Sequence, residues 1–154
     1  MINQHRGTIY KVCNLYGRDK ELRQDLFQEI VLQLWKSYPS FKKESKEHTW
    51  IYKVAINTAI SNFRKEVKRI DDQIIIQAHL EVPEVTFDSD DKEKTDQLFL
   101  AISQLNEFEK AIILLYLDEK SYDEISVILG ISQTNVGARI HRIKTKLNSI
   151  IHKN

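Results

Sequence analysis

Between Asp19 and Tyr38 the apolar residues Leu22, Leu26, Phe27, Ile30, Val31, Leu34 and Trp35 recur at three- and four-residue intervals. That spacing gathers them on one side of an α-helix, whereas a strand would alternate them between two faces. The same period appears at Ile9, Val12, Cys13 and Tyr16, within Asn3 to Tyr16. It returns from Thr49 to about Arg69, where Trp50, Ile51, Val54, Ala55, Thr58, Ala59 and Phe63 form the apolar side. Little interrupts these runs, because 154 residues include 4 Gly and 2 Pro, too few for a turn-rich β fold. Pro39 ends the second helix, Ser40 to His48 reads as a polar loop, and Thr49 is expected to cap the third helix.

Periodicity fades from Asp71, where Asp and Glu accumulate around Pro83 and the apolar island Ile74 to Ile76. Residues 71–97 are expected to be a flexible acidic linker. Helical signals then resume at Leu98, Ile102 and Leu105. Asn106 with Glu109 can cap a helix ending at Leu117, Ser121 with Glu124 opens another ending at Leu129, and Ser132 caps the last. The expected fold is all-α, with two small helical domains, 1–70 and 98–154, on either side of the linker.

The net charge of +1 conceals a block pattern: +7 over 1–70, −7 over 71–97, −4 over 98–130 and +5 over 131–154. Two basic blocks separated by acidic sequence suit two separate contacts with a polyanion.

The segment from Ser121 to Lys144 is the most specific in the chain. A short capped helix, a turn with Gly130 and then a second capped helix make a helix-turn-helix pattern. Ile125, Leu129, Ile131, Val136 and Ile140 are expected to lock the two helices together. Gln133, Thr134, Ala138, His141, Arg142 and Thr145 are then left facing outward. Arg pairs with guanine and Gln with adenine in a major groove, while Arg139, Lys144 and Lys146 are expected to meet phosphates. Gly137, inside the helix, permits close backbone approach to DNA or is a tolerated defect.

The third helix carries Lys53, Asn57, Arg64 and Lys68 on one polar face, extended by Lys65 and Arg69. Phe41, Trp50 and Tyr52 lie near it around the polar loop. Aromatic rings beside a basic helix suit capture of unpaired bases, each stack being worth about 1–3 kcal/mol. On the second helix, Asp25, Gln28, Glu29, Leu32 and Lys36 face outward, and a Leu among carboxylates suits a protein partner.

Together these residues resemble the sigma-70 superfamily, specifically its compact extracytoplasmic-function group. Asp25 to Trp35 and on to Phe41 looks like its polymerase-binding region. Thr49 to Arg69 looks like its promoter-melting and minus-ten region, and Leu105 to Leu147 like its minus-thirty-five domain. The resemblance implies clamp contacts with core RNA polymerase from Asp25, Gln28 and Glu29. It implies a flipped-base loop at Ser40 to His48, including Lys42, Lys43 and His48, and a minus-ten contact at Asn57. It implies recognition-helix contacts at Gly137, Ala138, His141 and Arg142. It also implies an anti-sigma partner, and a linker threaded through the polymerase near the nascent RNA. The chain departs from the pattern in three places. It starts after the helix that usually precedes Ile9, Gly137 stands where a basic residue is usual, and a Pro common near Asn106 is absent.

Other classes fit less well. His5, His48, His79, His141 and His152 are scattered without metal-ligand spacing, and no Gly-rich phosphate loop occurs. Neither an enzyme nor a cofactor is expected. Cys13 lies on an apolar stripe and, as the single Cys, can form no intramolecular disulfide, which fits a reducing cytoplasm. Without a bilayer-length apolar run, membrane insertion is not expected. The main alternative is a free-standing helix-turn-helix regulator of promoter DNA, which has no need of the basic-aromatic helix or the acidic linker. An inactive mimic would lack Asn57 and Arg142, and both are present.

Overall fold

The computed structural model describes residues 2–41, 46–72 and 92–152. The chain divides between Glu81 and Val82 into two compact units.

In the first unit a 3-10 turn, Ile2–His5, leads into α1 (Arg6–Tyr16). α2 spans Lys20–Ser37, a second 3-10 turn covers Tyr38–Ser40, and α3 spans Glu47–Asp72. Asp19 starts α2 by accepting a hydrogen bond from the Leu22 backbone N–H at 2.8 Å. Pro39 enters the second 3-10 turn, and the helix stops there. The three helices pack pairwise around Ile9, Val12, Cys13 and Tyr16 of α1, Leu26, Ile30 and Leu34 of α2, and Ile51, Ala55, Ile56 and Ala59 of α3.

Two expectations need correcting here. Thr49 does not cap α3: the helix starts at Glu47, Lys46 carbonyl accepts from the Trp50 N–H at 3.1 Å, and Thr49 is buried in the first turn. An acidic Glu47 at that end suits the helix dipole. Trp35 is 76% exposed and does not join the α2 stripe. Leu26, Ile30 and Leu34 already fill the seam facing α1 and α3, so Trp35 is turned to solvent with Leu32.

In the second unit, α4 (Lys92–Ser103), α5 (Glu107–Leu117) and α6 (Tyr122–Leu129) all pack on α7 (Gln133–His152). The expected local signals are in place. Asn106 and Glu109 form a capping box, with Glu109 N–H donating to Asn106 Oδ1 at 2.8 Å and Asn106 N–H to Glu109 Oε1 at 3.1 Å. Ser121 accepts from the Glu124 N–H and Ser132 from the Asn135 N–H, each at 3.1 Å. Gly130 ends α6 with φ +70°, a left-handed conformation that a side chain would strain. Ser126 Oγ donates to the Ile131 carbonyl at 2.6 Å and ties the turn down. Ile112, Leu115, Ile125, Ile128, Val136, Ile140 and Ile143 form the centre of this core.

The helices also reach into the segment read as linker. α3 runs on to Asp72, and α4 already begins at Lys92. The island Ile74 to Ile76 lies outside the described residues.

Candidate nucleic-acid interface

On α7, burial of Val136, Ile140, Ile143 and Leu147 turns the opposite side outward. Gln133, Thr134, Ala138, His141, Arg142 and Thr145 are all exposed there, and the helix contains no Asp or Glu. The basic residues around this face are held in different ways. Arg139 Nε donates to Asn135 Oδ1 at 2.9 Å, and its guanidinium lies 5.0 Å from the Phe108 ring centre. Lys144 Nζ sits 4.3 Å from the Tyr116 ring centre, and its hydrogen bond with Tyr116 raises its pKa above the ordinary value. Lys146 pairs with Glu109 at 3.2 Å. α5 therefore supports three of the cations that the sequence assigned to DNA, and these contacts fix where their charges stand.

Gly137 has a structural neighbour that sequence could not reveal. A Cβ built there would lie 3.4 Å from Cε2 of Tyr122, the first residue of α6. The distance is ordinary contact, so Gly137→Ala should keep the packing and recover the helix propensity that Gly forfeits, about 1 kcal/mol. Thermal unfolding should show the second unit's midpoint rising by about 5 °C. A lowered midpoint would mean that the Tyr122 ring cannot yield.

In the first unit, Lys53, Asn57, Arg64 and Lys68 lie along α3, all exposed. At the start of that helix Trp50 is half-buried and stacks on Phe41, ring centres 4.7 Å apart, with Tyr38 edge-on at 6.3 Å. Tyr38 is 52% exposed, whereas Tyr52, expected among the surface rings, is 0% exposed. Tyr38 thus takes the place the sequence assigned to Tyr52. Its position just before Pro39, at the end of α2, was the available signal. An apolar groove lined by Ile2, Leu34, Trp35, Tyr38, Pro39 and Ile51 opens beside these rings.

His48 is not in the loop but in the first turn of α3. It shares a 2.9 Å hydrogen bond with Thr8 Oγ1 and stacks on His5 at 5.4 Å, so it anchors α3 to α1. Lys42 and Lys43 lie outside the described residues. On α2, Asp25, Gln28 and Leu32 are exposed, and Glu29 is half-buried and accepts from Gln33 Nε2 at 3.0 Å. Trp35 belongs with this outward face, a residue the sequence placed inward. Burial pushes the Cys13 thiol up to about 12, which keeps it protonated and unreactive. Among the described residues no cluster of His, Cys, Asp or Glu is placed to hold a metal, and no helix is long and apolar enough to cross a membrane.

A capped helix-turn-helix unit and a three-helix unit bearing a basic strip beside aromatic rings define a helical DNA-binding transcription protein. Residues 1–69 match the model of sigma-70 region 2, and residues 95–147 match that of sigma-70 region 4. The chain is 29% identical to the ECF RNA polymerase sigma factor SigX of Bacillus subtilis, over 92% of this chain and 77% of that protein. It is 27% identical to SigM of the same organism, covering 97% and 91%. In fold it is similar to the sigma factor RpoE solved with the anti-sigma factor NepR from Bartonella quintana. That match has TM-score 0.82 and 17% identity, over 98% of this chain and 94% of that one. The chain belongs to the sigma-70 family, in its extracytoplasmic-function group. It is a sigma factor rather than a free-standing regulator, and the family is not known as a family of enzymes.

Proposed function

We propose that this cytoplasmic sigma factor divides promoter recognition between its two units and performs no covalent chemistry. α2 docks on core polymerase through Asp25, Gln28, Glu29 and Leu32, with Trp35 adding an apolar contact. α7 reads the minus-thirty-five element through Gln133, Thr134, Ala138, His141 and Arg142. Arg139 and Lys144 lie beside the phosphates. The α3 strip of Lys53, Asn57, Arg64 and Lys68 follows the minus-ten DNA. The rings of Phe41 and Trp50, joined by Tyr38, stack on unpaired bases, while Lys42 and Lys43, next to Phe41 in sequence, add positive charge. His48 acts indirectly, by holding the start of α3. Binding to the open strand offsets the cost of melting. An anti-sigma protein restrains the factor, a reading supported by the similar sigma factor solved with the anti-sigma factor NepR.

The observation that carries this division is the presence, in one chain, of an acid-free exposed face on α7 and an exposed Lys53–Asn57–Arg64–Lys68 strip on α3. Transcription from a random promoter library, with core polymerase and the full chain, tests it. Initiation should occur at a shared two-box motif only when the protein is added. Asn57→Ala should lose selectivity in the downstream box and Arg142→Ala in the upstream box, each by roughly tenfold or more. Unchanged selectivity in both variants would remove the assignment.

A further inference from the structure

The first two residues of α6 both touch the first turns of α7. The Tyr122 ring lies beside Gly137, 3.4 Å from where a Cβ would stand. Beside it, Gln133 Nε2 donates to Asp123 Oδ1 at 3.0 Å. Asp123 is an exposed carboxylate next to a helix with no acidic residue. In the first turn of α6 this charge suits the helix dipole, and its side chain also meets Gln133 across the turn.

That contact has a chemical consequence. A glutamine carboxamide in a groove can present either end, because rotation of its last bond exchanges oxygen and nitrogen. The Asp123 carboxylate accepts only from the nitrogen, so it selects one rotation. One Nε2 proton is then engaged, and the second proton and Oε1 remain together on the outer edge. Those two groups form the pair that meets N7 and the N6 amino group of adenine. The opposite rotation would set Oε1, an acceptor, against the protein's own carboxylate, two acceptors facing each other.

We infer that Asp123 is a positioning residue that sets Gln133 to read adenine in the upstream promoter element. This rests on the proposal that α7 enters the minus-thirty-five groove. Asp123 touches no base itself, and its place in the first turn of α6, beside the start of α7, puts it within reach of Gln133. The usual basic residue at the Gly137 position would put a long side chain against the Tyr122 ring. Specificity at this end of α7 is therefore expected to lie with Gln133 rather than with position 137.

The test is transcription by core polymerase from a library randomised across the upstream element, sequenced by product. The chains compared are wild type, Asp123→Ala, Asp123→Asn, Gln133→Ala, the Asp123→Ala/Gln133→Ala double variant and Arg142→Ala. Asp123→Ala should flatten an adenine preference of roughly tenfold at one base pair, with total initiation nearly unchanged. Gln133→Ala should flatten the same base pair, and the double variant should do no more than either alone. Asp123→Asn, whose amide can accept from Nε2 or donate to Oε1, no longer selects one rotation and should lose much of the preference. An unchanged profile in Asp123→Ala, or equal weakening at every base pair, overturns the inference and leaves only a structural contact. If Gln133→Ala and Arg142→Ala also change nothing in this element, α7 does not read it, and the underlying proposal falls too.

Discussion

Ile140→Ala should unfold the second unit and abolish initiation that depends on the upstream element, while the first unit stays folded. Ile140 is buried at the middle of α7, the helix on which α4, α5 and α6 all pack. Cutting a buried Ile to Ala costs about 2–5 kcal/mol, because the transfer energy is lost and a cavity remains. A helical unit of this size has little reserve against such a loss. Hydrogen exchange should show protection lost across α5 to α7 and retained in α1 to α3. Retained protection throughout the second unit would show that its core is redundant around Ile140.

Replacing Trp50 should cripple strand opening. Trp50 is stacked on Phe41 and flanked by Tyr38, so the three rings form one platform at the start of α3. A lost base stack of about 1–3 kcal/mol corresponds to roughly 5- to 150-fold fewer open complexes in Trp50→Ala. Permanganate reactivity of minus-ten thymines measures this directly. Trp50→Phe keeps an aromatic face and should retain most of the opening, whereas Trp50→Leu keeps apolar bulk without it and should not. Leucine performing as well as phenylalanine would reduce Trp50 to a packing residue.

The readable parts of the site were those governed by local chemistry. Exposure of Lys53, Asn57, Arg64 and Lys68 follows from helical spacing against a buried Ile51–Ala55–Ala59 seam. Exposure of Gln133, Ala138, His141 and Arg142 follows in the same way from Val136, Ile140 and Ile143. Residues whose placement depends on a neighbouring helix were misread, as with Trp35 and Tyr52, or passed over, as with Tyr38. Trp35, Tyr38 and Tyr52 are all large and aromatic or amphipathic, and such rings suit a core or a surface. Trp35 stands outside because the α2 seam is already full, and Tyr52 is inside, with its ring against His48 at 4.9 Å.

The same distinction separates what the amino acids determined alone from what needed the tertiary structure. Seven helices among the described residues, the capping box at Asn106, the caps at Ser121 and Ser132 and the left-handed turn at Gly130 involve partners a few residues apart. Their hydrogen bonds are encoded by spacing within a single turn of chain, so they are legible without a fold. The docking of Arg139 on Phe108, Lys144 on Tyr116 and Lys146 on Glu109 joins residues 28 to 37 apart in sequence, and His48 meets Thr8 at a separation of 40. Such contacts exist only after apolar burial has brought two helices together, and their geometry depends on how those helices pack. Only the tertiary structure could therefore decide which cations stand free at the surface and which rings remain exposed to meet a base.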